Sequence, residues 1–157
     1  MEKPLEQRID NVLALCERFL PLGAAYVPLD DRRQVRISSR FTGVCRDCLL
    51  RECAWTCRQV ATSAAQQAHR LGEPYYTPCW LGLNTAVFAV APHGQLRGAL
   101  VLGGFCYAET RADTLTFARR KLESLPAGSR TMLGLQLDAL PTIGTAEIRG
   151  HCAFVHD

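Results

Sequence analysis

The sequence predicts an α+β domain, with five short antiparallel strands and helices packed on one face. Three observations lead there. The patterns run in the order helix, hairpin, helices, three strands, helices. One apolar run, Ala86 to Ala91, is greasy on both sides, as a central strand must be. No internal repeat or low-complexity linker divides the 157 residues, so residues 1–157 read as one domain.

Each element has a local cause. Leu5, Ile9, Val12, Leu13, Cys16, Phe19 and Leu20 recur at steps of three and four, with charged residues between them, which makes an amphipathic helix. Pro4 suits its first turn; Pro21 and Gly23 end it. Two short apolar runs, Ala25 to Leu29 and Val35 to Ile37, flank Asp30 and Asp31 and suggest a β-hairpin. Pro28 belongs at an edge or a bulge of its strand. Residues 45–71 are helix formers without Gly or Pro, in one helix or in two with a break near Trp55. Ala61, Ala64, Ala65, Ala68 and Leu71 form its stripe, and Gly72 and Pro74 stop it. Tyr75 to Cys79 opens the β-rich section. Pro92 to Gln95 is a turn, and Leu96 to Phe105 is the returning strand. Its Gly98, Gly103 and Gly104 mark either a bulge and close approach to something bound, or a tight sheet–helix contact. Leu115, Ala118, Leu122 and Leu125 predict a helix ended by Pro126. Leu133, Leu137 and Leu140 predict another ended by Pro141, and the tail from Thr145 starts one more. The 45–71 helices laid on one face of the sheet would close a pocket.

Composition excludes several classes. Apolar residues make up 48% and charged residues 21%, with a formal net charge of +3. The first two figures argue against disorder, and the third is too small for nucleic-acid binding by bulk charge. Arg119, Arg120 and Lys121 read as a solvated helix face rather than a phosphate site. No apolar run approaches the roughly 18–20 residues that cross a bilayer. Met1 to Pro4 lacks the basic-then-apolar order of a signal peptide, so a cytosolic location without membrane contact is expected. In a reducing compartment the eight cysteines should be thiols, metal ligands or redox groups rather than disulfides.

No catalytic motif is present. There is no phosphate-binding Gly-rich loop before a Lys and Ser or Thr, no Gly-x-Ser-x-Gly elbow, no zincin pair among the four histidines and no evident carboxylate pair. The chain therefore does not read as an enzyme. The strongest local feature is Cys45, Cys48, Cys53 and Cys57, followed by Cys79. Thiolates are soft ligands, and four of them suit zinc or an iron–sulfur cluster. The candidate metal ligands are Cys45, Cys53, Cys57 and Cys79. The spacing matches neither ferredoxins nor paired Cys-x-x-Cys ribbons, and three readings stay open: buried packing groups, structural zinc, or an iron–sulfur or redox centre. The second feature is the run Pro74 to Leu83, where aromatics, a thiol and a glycine precede the buried strand. Tyr76, Cys79, Trp80, Leu83, Phe88 and Phe105 are the candidate lining of a small-molecule cavity.

These features together resemble the PocR family of sensory domains. The resemblance rests on the early helix, the hairpin with Asp30 and Asp31 at its turn, Cys45, Cys57 within a helix, and Cys79-x-x-Gly82-Leu83. The strand–turn–strand from Ala86 to Phe105 and the Leu-Pro steps at 125–126 and 140–141 continue it, over roughly residues 5–148. Trp80 stands where the family often has a small polar residue or His, and Phe105 where it often has Gln; Cys48 and Cys53 are additional. The resemblance implies a PAS-like fold that binds small hydrocarbon derivatives such as short diols or alcohols. It further implies an output module, helix-turn-helix or histidine kinase, acting in cis or in trans; transmission through the terminal helices across a homodimer is the expectation that goes with it. A cysteine-ligated zinc or iron–sulfur module sensing redox state is the alternative.

Overall fold

The computed structural model describes residues 4–41, 43–52 and 54–156. Helix α1 (Leu5–Phe19) forms as its spacing dictates and buries Ile9, Leu13 and Cys16. Pro4 precedes its first turn, where a missing N–H costs nothing. Strands β1 (Ala24–Pro28) and β2 (Arg36–Ile37) pair antiparallel. In the turn between them Asp30 Oδ1 accepts the Arg32 N–H at 3.0 Å. Pro28 ends β1 beyond the last residue that β2 pairs, so its lack of an N–H breaks no ladder bond.

The 45–71 stretch is two helices joined through a wider turn: α2 (Gly43–Asp47), a π-helical turn (Cys48–Glu52) and α3 (Ala54–Leu71). Strands β3 (Tyr75–Pro78), β4 (Asn84–Val90) and β5 (Gly98–Tyr107) follow, then α4 (Arg111–Leu122), α5 (Ala127–Leu137), β6 (Thr142–Ile143) and α6 (Thr145–His156). The sheet order is β2-β1-β5-β4-β3, antiparallel throughout, and β6 adds a short parallel pairing at the end of β5. The expected five-stranded antiparallel sheet is therefore present, and the two residues of β6 extend it.

Strand alternation divides the core. Ala24 and Tyr26 of β1, Ala86 and Phe88 of β4, and Leu100 and Leu102 of β5 meet α1 and α6 through Ile9, Leu13, Ile148 and Cys152. Ala25, Val27, Val87, Ala99 and Val101 meet the alanine stripe of α3 at Ala61, Ala64 and Ala65. The helix expected over the sheet is thus in place, and the opposite face is covered as well. A third cluster at one end joins Leu81 and Leu83 to α4 and α5 through Leu115, Leu122, Leu133 and Leu137. Each fully buried Leu contributes about 1.5–3 kcal/mol relative to exposure. Polar clamps fix the periphery: Gln136 Nε2 donates to Asp47 Oδ2 at 2.9 Å, and Arg111 donates to the carbonyls of Leu140 and Asp138 at 2.8 and 3.1 Å.

The β4–β5 ladder slips between Asn84 and Thr85, which pair with Phe105 and Gly103, leaving Gly104 as the extra residue of a bulge. A Cβ on Gly104 would lie 3.0 Å from Cys45 Sγ and 3.1 Å from Leu83 Cβ. Bulge and close approach therefore coincide at this glycine.

Candidate functional site

A cavity of about 60 Å³ lies between the sheet and the α2–α3 segment. Its walls follow from the local structure. The α2 helix and the π-helical turn supply Cys45, Cys48 and Leu49; α3 supplies Cys57, Val60 and Ala61. The alanine stripe seats α3 closely on the sheet, because alanines have little to interpose. The sheet floor is Val27, Thr85, Val87 and Val101, and Gly104 lies beneath Cys45. The remaining wall is Cys79, Trp80, Leu81 and Leu83.

That last wall is a tight turn with a sulfur at its centre. Gly82 N–H donates to Cys79 O, and Cys79 N–H to Leu83 O, both at 2.8 Å. The backbone N–H groups of Leu81 and Leu83 also donate to the Cys79 sulfur. Gly82 has φ +80°, and a Cβ there would meet the Phe117 ring at 2.5 Å. The spacing Cys-x-x-Gly-Leu thus wraps backbone N–H groups around the thiol, with glycine where the turn and α4 admit no side chain.

The polar inventory of the cavity is short. Thr85 Oγ1 is spent, donating to Thr77 O at 2.7 Å. Cys45 Sγ accepts the Gly104 N–H at 3.1 Å. Trp80 Nε1 is buried with no hydrogen-bond partner of ordinary geometry, although it faces the Cys57 sulfur. Buried donors are rarely left unmade.

The thiols are not equivalent. Desolvation by burial, reinforced by Cys79 and opposed by the Gly104 N–H, pushes the Cys45 thiol far above the ordinary range. Desolvation likewise raises Cys79 to about 11, despite the N–H groups that partly offset it. Cys57 goes the other way. The hydrogen bond from Cys48 is the largest influence and draws it down; burial opposes this and the Trp80 indole assists it.

Three of the six expected lining residues meet here: Cys79, Trp80 and Leu83. Tyr76, Phe88 and Phe105 do not reach this cavity. Phe88 and Phe105 lie in the α1/α6 core, and Phe105 packs edge-on to Tyr107 at 5.4 Å. Tyr76 is 40% exposed and bonds to Cys152 of α6. The bulge explains Phe105: unbroken alternation from Val101 would aim it at the cavity, and the extra residue turns it over. Val27, Phe41, Ala61, Val87 and Val101 line the cavity without a local sequence signal, since only the fold brings them together.

Of the expected metal ligands, Cys45, Cys57 and Cys79 line the cavity and Cys48 joins them. Cys53 lies outside the described residues. Among the described residues, no group of three or more His, Cys, Asp or Glu side chains converges to hold one ion. Larger depressions carry exposed charge instead; one of about 580 Å³ is lined by Glu6, Arg8, Asp30, Arg33 and Arg97. Among the described residues, no helix is long and apolar enough to cross a membrane.

A family model described as the sensory domain found in PocR matches residues 7–149. No curated protein and no solved structure matches the chain.

Proposed function

The chain belongs to the family of sensory domains found in PocR, and on that premise we propose that it is a cytosolic sensor binding a short alcohol or diol in the α2–α3 cavity. One observation carries this reading: an apolar cavity of about 60 Å³ with a buried, unpartnered Trp80 N–H on its wall. Taking about 10–15 Å³ per water-sized occupant, the space admits on the order of four or five heavy atoms. The aliphatic walls suit the hydrocarbon part of such a ligand. The indole N–H would donate to its hydroxyl oxygen, which removes the cost of an unmade buried bond.

Binding shifts a conformational equilibrium only by the ligand's differential affinity for two forms. The cavity has one wall on α2–α3 and one on the sheet, so a ligand favours the form in which α2–α3 is seated. The sheet carries that preference to α1 and α6 on its far face. A homodimer formed through these terminal helices would pass it to a DNA-binding or kinase module in cis or in trans. The domain itself touches neither membrane nor nucleic acid, and it binds without turnover.

Isothermal titration with a panel of short alcohols and diols tests the reading. Trp80→Phe keeps the ring and deletes the N–H; we expect binding roughly threefold to tenfold weaker, the worth of one net hydrogen bond. No heat across the panel counts against the site.

A second reading has one observation in its favour: three of the four expected metal ligands, Cys45, Cys57 and Cys79, line one cavity. It takes over the four-cysteine set expected from the sequence as a zinc or iron–sulfur redox-sensing module, and it requires these side chains to draw together, since among the described residues no three of them converge on one ion. Elemental analysis of freshly purified protein separates the readings. About one zinc per chain, or iron with sulfide, favours the metal module; metal-free protein with reactive thiols favours the alcohol sensor.

A further inference from the structure

We infer that Thr85 determines which ligands the cavity accepts: its Oγ1 takes the proton of a ligand hydroxyl whose oxygen accepts the Trp80 indole N–H. An alcohol then satisfies both groups, and a ketone of the same skeleton satisfies only the indole. The inference rests on the α2–α3 cavity being the ligand site and adds the residue that reads the hydroxyl proton.

The floor of the cavity is made of β-branched residues: Val27, Thr85, Val87 and Val101. Threonine and valine share a shape, so packing alone is met by valine at all of these positions. A buried hydroxyl costs free energy that a methyl group does not, unless it is bonded. Ser38 and Thr85 are the two buried polar side chains among the described residues. Ser38 Oγ accepts the Ala24 N–H at 2.9 Å and does not line the cavity. Thr85 does.

The Thr85 hydroxyl is spent only as a donor. It has one proton and two lone pairs. The proton goes to Thr77 O at 2.7 Å, which fixes the side chain and leaves an oxygen that can only accept. The methyl group leans the other way, toward β5, where a Cβ on Gly103 would lie 3.2 Å from Thr85 Cγ2. The oxygen is therefore on the β3 side, and the chain runs from Thr77 at the end of β3 through Pro78 into Cys79 and Trp80. This sets the acceptor beside the wall that carries the indole donor. The thiols compete poorly. Sulfur is a weak acceptor, and Cys45 and Cys79 already receive backbone N–H groups.

A buried hydroxyl needs one donor and one acceptor. Trp80 Nε1–H is the donor and Thr85 Oγ1 the acceptor. A ketone oxygen needs the donor alone. Selection between the two ligands therefore runs through the partner of the ligand's proton, and a site that bonds a hydroxyl discriminates against the analogue that lacks it.

The test is calorimetry on the full chain with 2-propanol and acetone, which share one carbon skeleton. The readout is the ratio of the two affinities, and Thr85→Val removes the acceptor while keeping the shape. We expect 2-propanol to bind Thr85→Val about threefold to tenfold more weakly, with acetone within about twofold of the parent. The acetone titration also shows that the variant is folded; if Thr85→Val does not fold, Thr85→Ala takes its place. Thr85→Ser keeps the oxygen and should keep the ratio. Trp80→Phe should weaken both ligands and leave the ratio within about twofold. A residue that only held β3 to β4 would move both affinities together when replaced. An equal loss of both ligands in Thr85→Val, or no loss of either, therefore overturns the role of Thr85 and leaves the cavity reading standing. If the parent chain binds neither ligand, both fall.

Discussion

The two faces of the sheet are built from different side chains, and the difference decides where a ligand can go. The α1/α6 face is filled with large groups: Leu13, Leu22, Tyr26, Phe88, Leu100, Leu102 and Phe105. The α3 face is filled mostly with small ones, Ala25, Ala61, Ala64, Ala65 and Ala99 with Val27, Val87 and Val101, and with Phe41 and Leu49. Large side chains from both layers interlock and leave little space. Alanines bring α3 close over most of its length, and the residual cavity opens toward its N-terminal end, where Cys45, Cys48 and Cys57 stand on the wall. Bulk on the central strands therefore marks the stabilising face here, while alanines and valines mark the face over which the cavity forms, where Phe41, Trp80 and four thiols complete the wall.

Truncating the packed face should break this comparison most visibly. Phe105 has no exposed surface and joins both β-strand neighbours and α1 residues in one cluster. Phe105→Ala should cost about 3–5 kcal/mol. That corresponds to a melting temperature lower by about 6–20 °C for a chain of this size. Thermal denaturation by circular dichroism reads it, and the fraction that remains folded should bind ligand with unchanged affinity. A loss of affinity in that fraction would mean the two faces are not independent.

Much of the fold was legible because its signals are periodic. Helix α1 has repeated apolar steps, β4 an unbroken apolar run, and α3 an alanine stripe ended by Gly72, whose φ is +71°. The helix type does change shortly before Trp55, in the π-helical turn Cys48–Glu52. What escaped has physical reasons. Two residues, Thr142 and Ile143, carry no period, so β6 left no trace. Gly128 and Gly134 dilute the pattern of α5, which begins at Ala127, well before its leucines. The cavity was half legible. Cys79, Trp80 and Leu83 share one turn, which sequence shows. Phe88 and Phe105 lie on the other face: a strand's alternation cannot say which face is which, and the bulge at Gly104 reverses it partway along β5.

Filling the binding face should have a smaller effect on stability and a decisive one on function. Ala61 sits on α3 with its methyl group on the cavity wall. Ala61→Leu adds three carbons to a space of about 60 Å³. Overpacking costs about 1–3 kcal/mol, less than the loss at Phe105, while calorimetry should show alcohol binding abolished. If Ala61→Leu binds normally, the ligand sits elsewhere, and the contrast between the faces says nothing about recognition.

The smallest effect concerns the one property the faces share. Cys16 on the α1 face and Cys79 on the cavity face are both raised to about 11, in each case chiefly by desolvation. An unfolded chain loses a thiol proton near pH 8.5. Between there and about pH 11, the unfolded form has given up protons that the folded form still holds. Stability is therefore fully present below about pH 8.5 and falls as pH rises toward about 11. Cys57 has the opposite sign: its folded pKa is lowered, so its contribution is present above the ordinary thiol range and is lost as pH falls through the folded value. Urea midpoints measured at about pH 7.5 and about pH 10 should drop in the parent chain, and the drop should shrink in Cys16→Ala and in Cys79→Ala. Cys57→Ala should instead make it steeper, because a thiol that opposes the trend is gone. A parent chain whose midpoint does not move would show that burial on neither face raises these thiols.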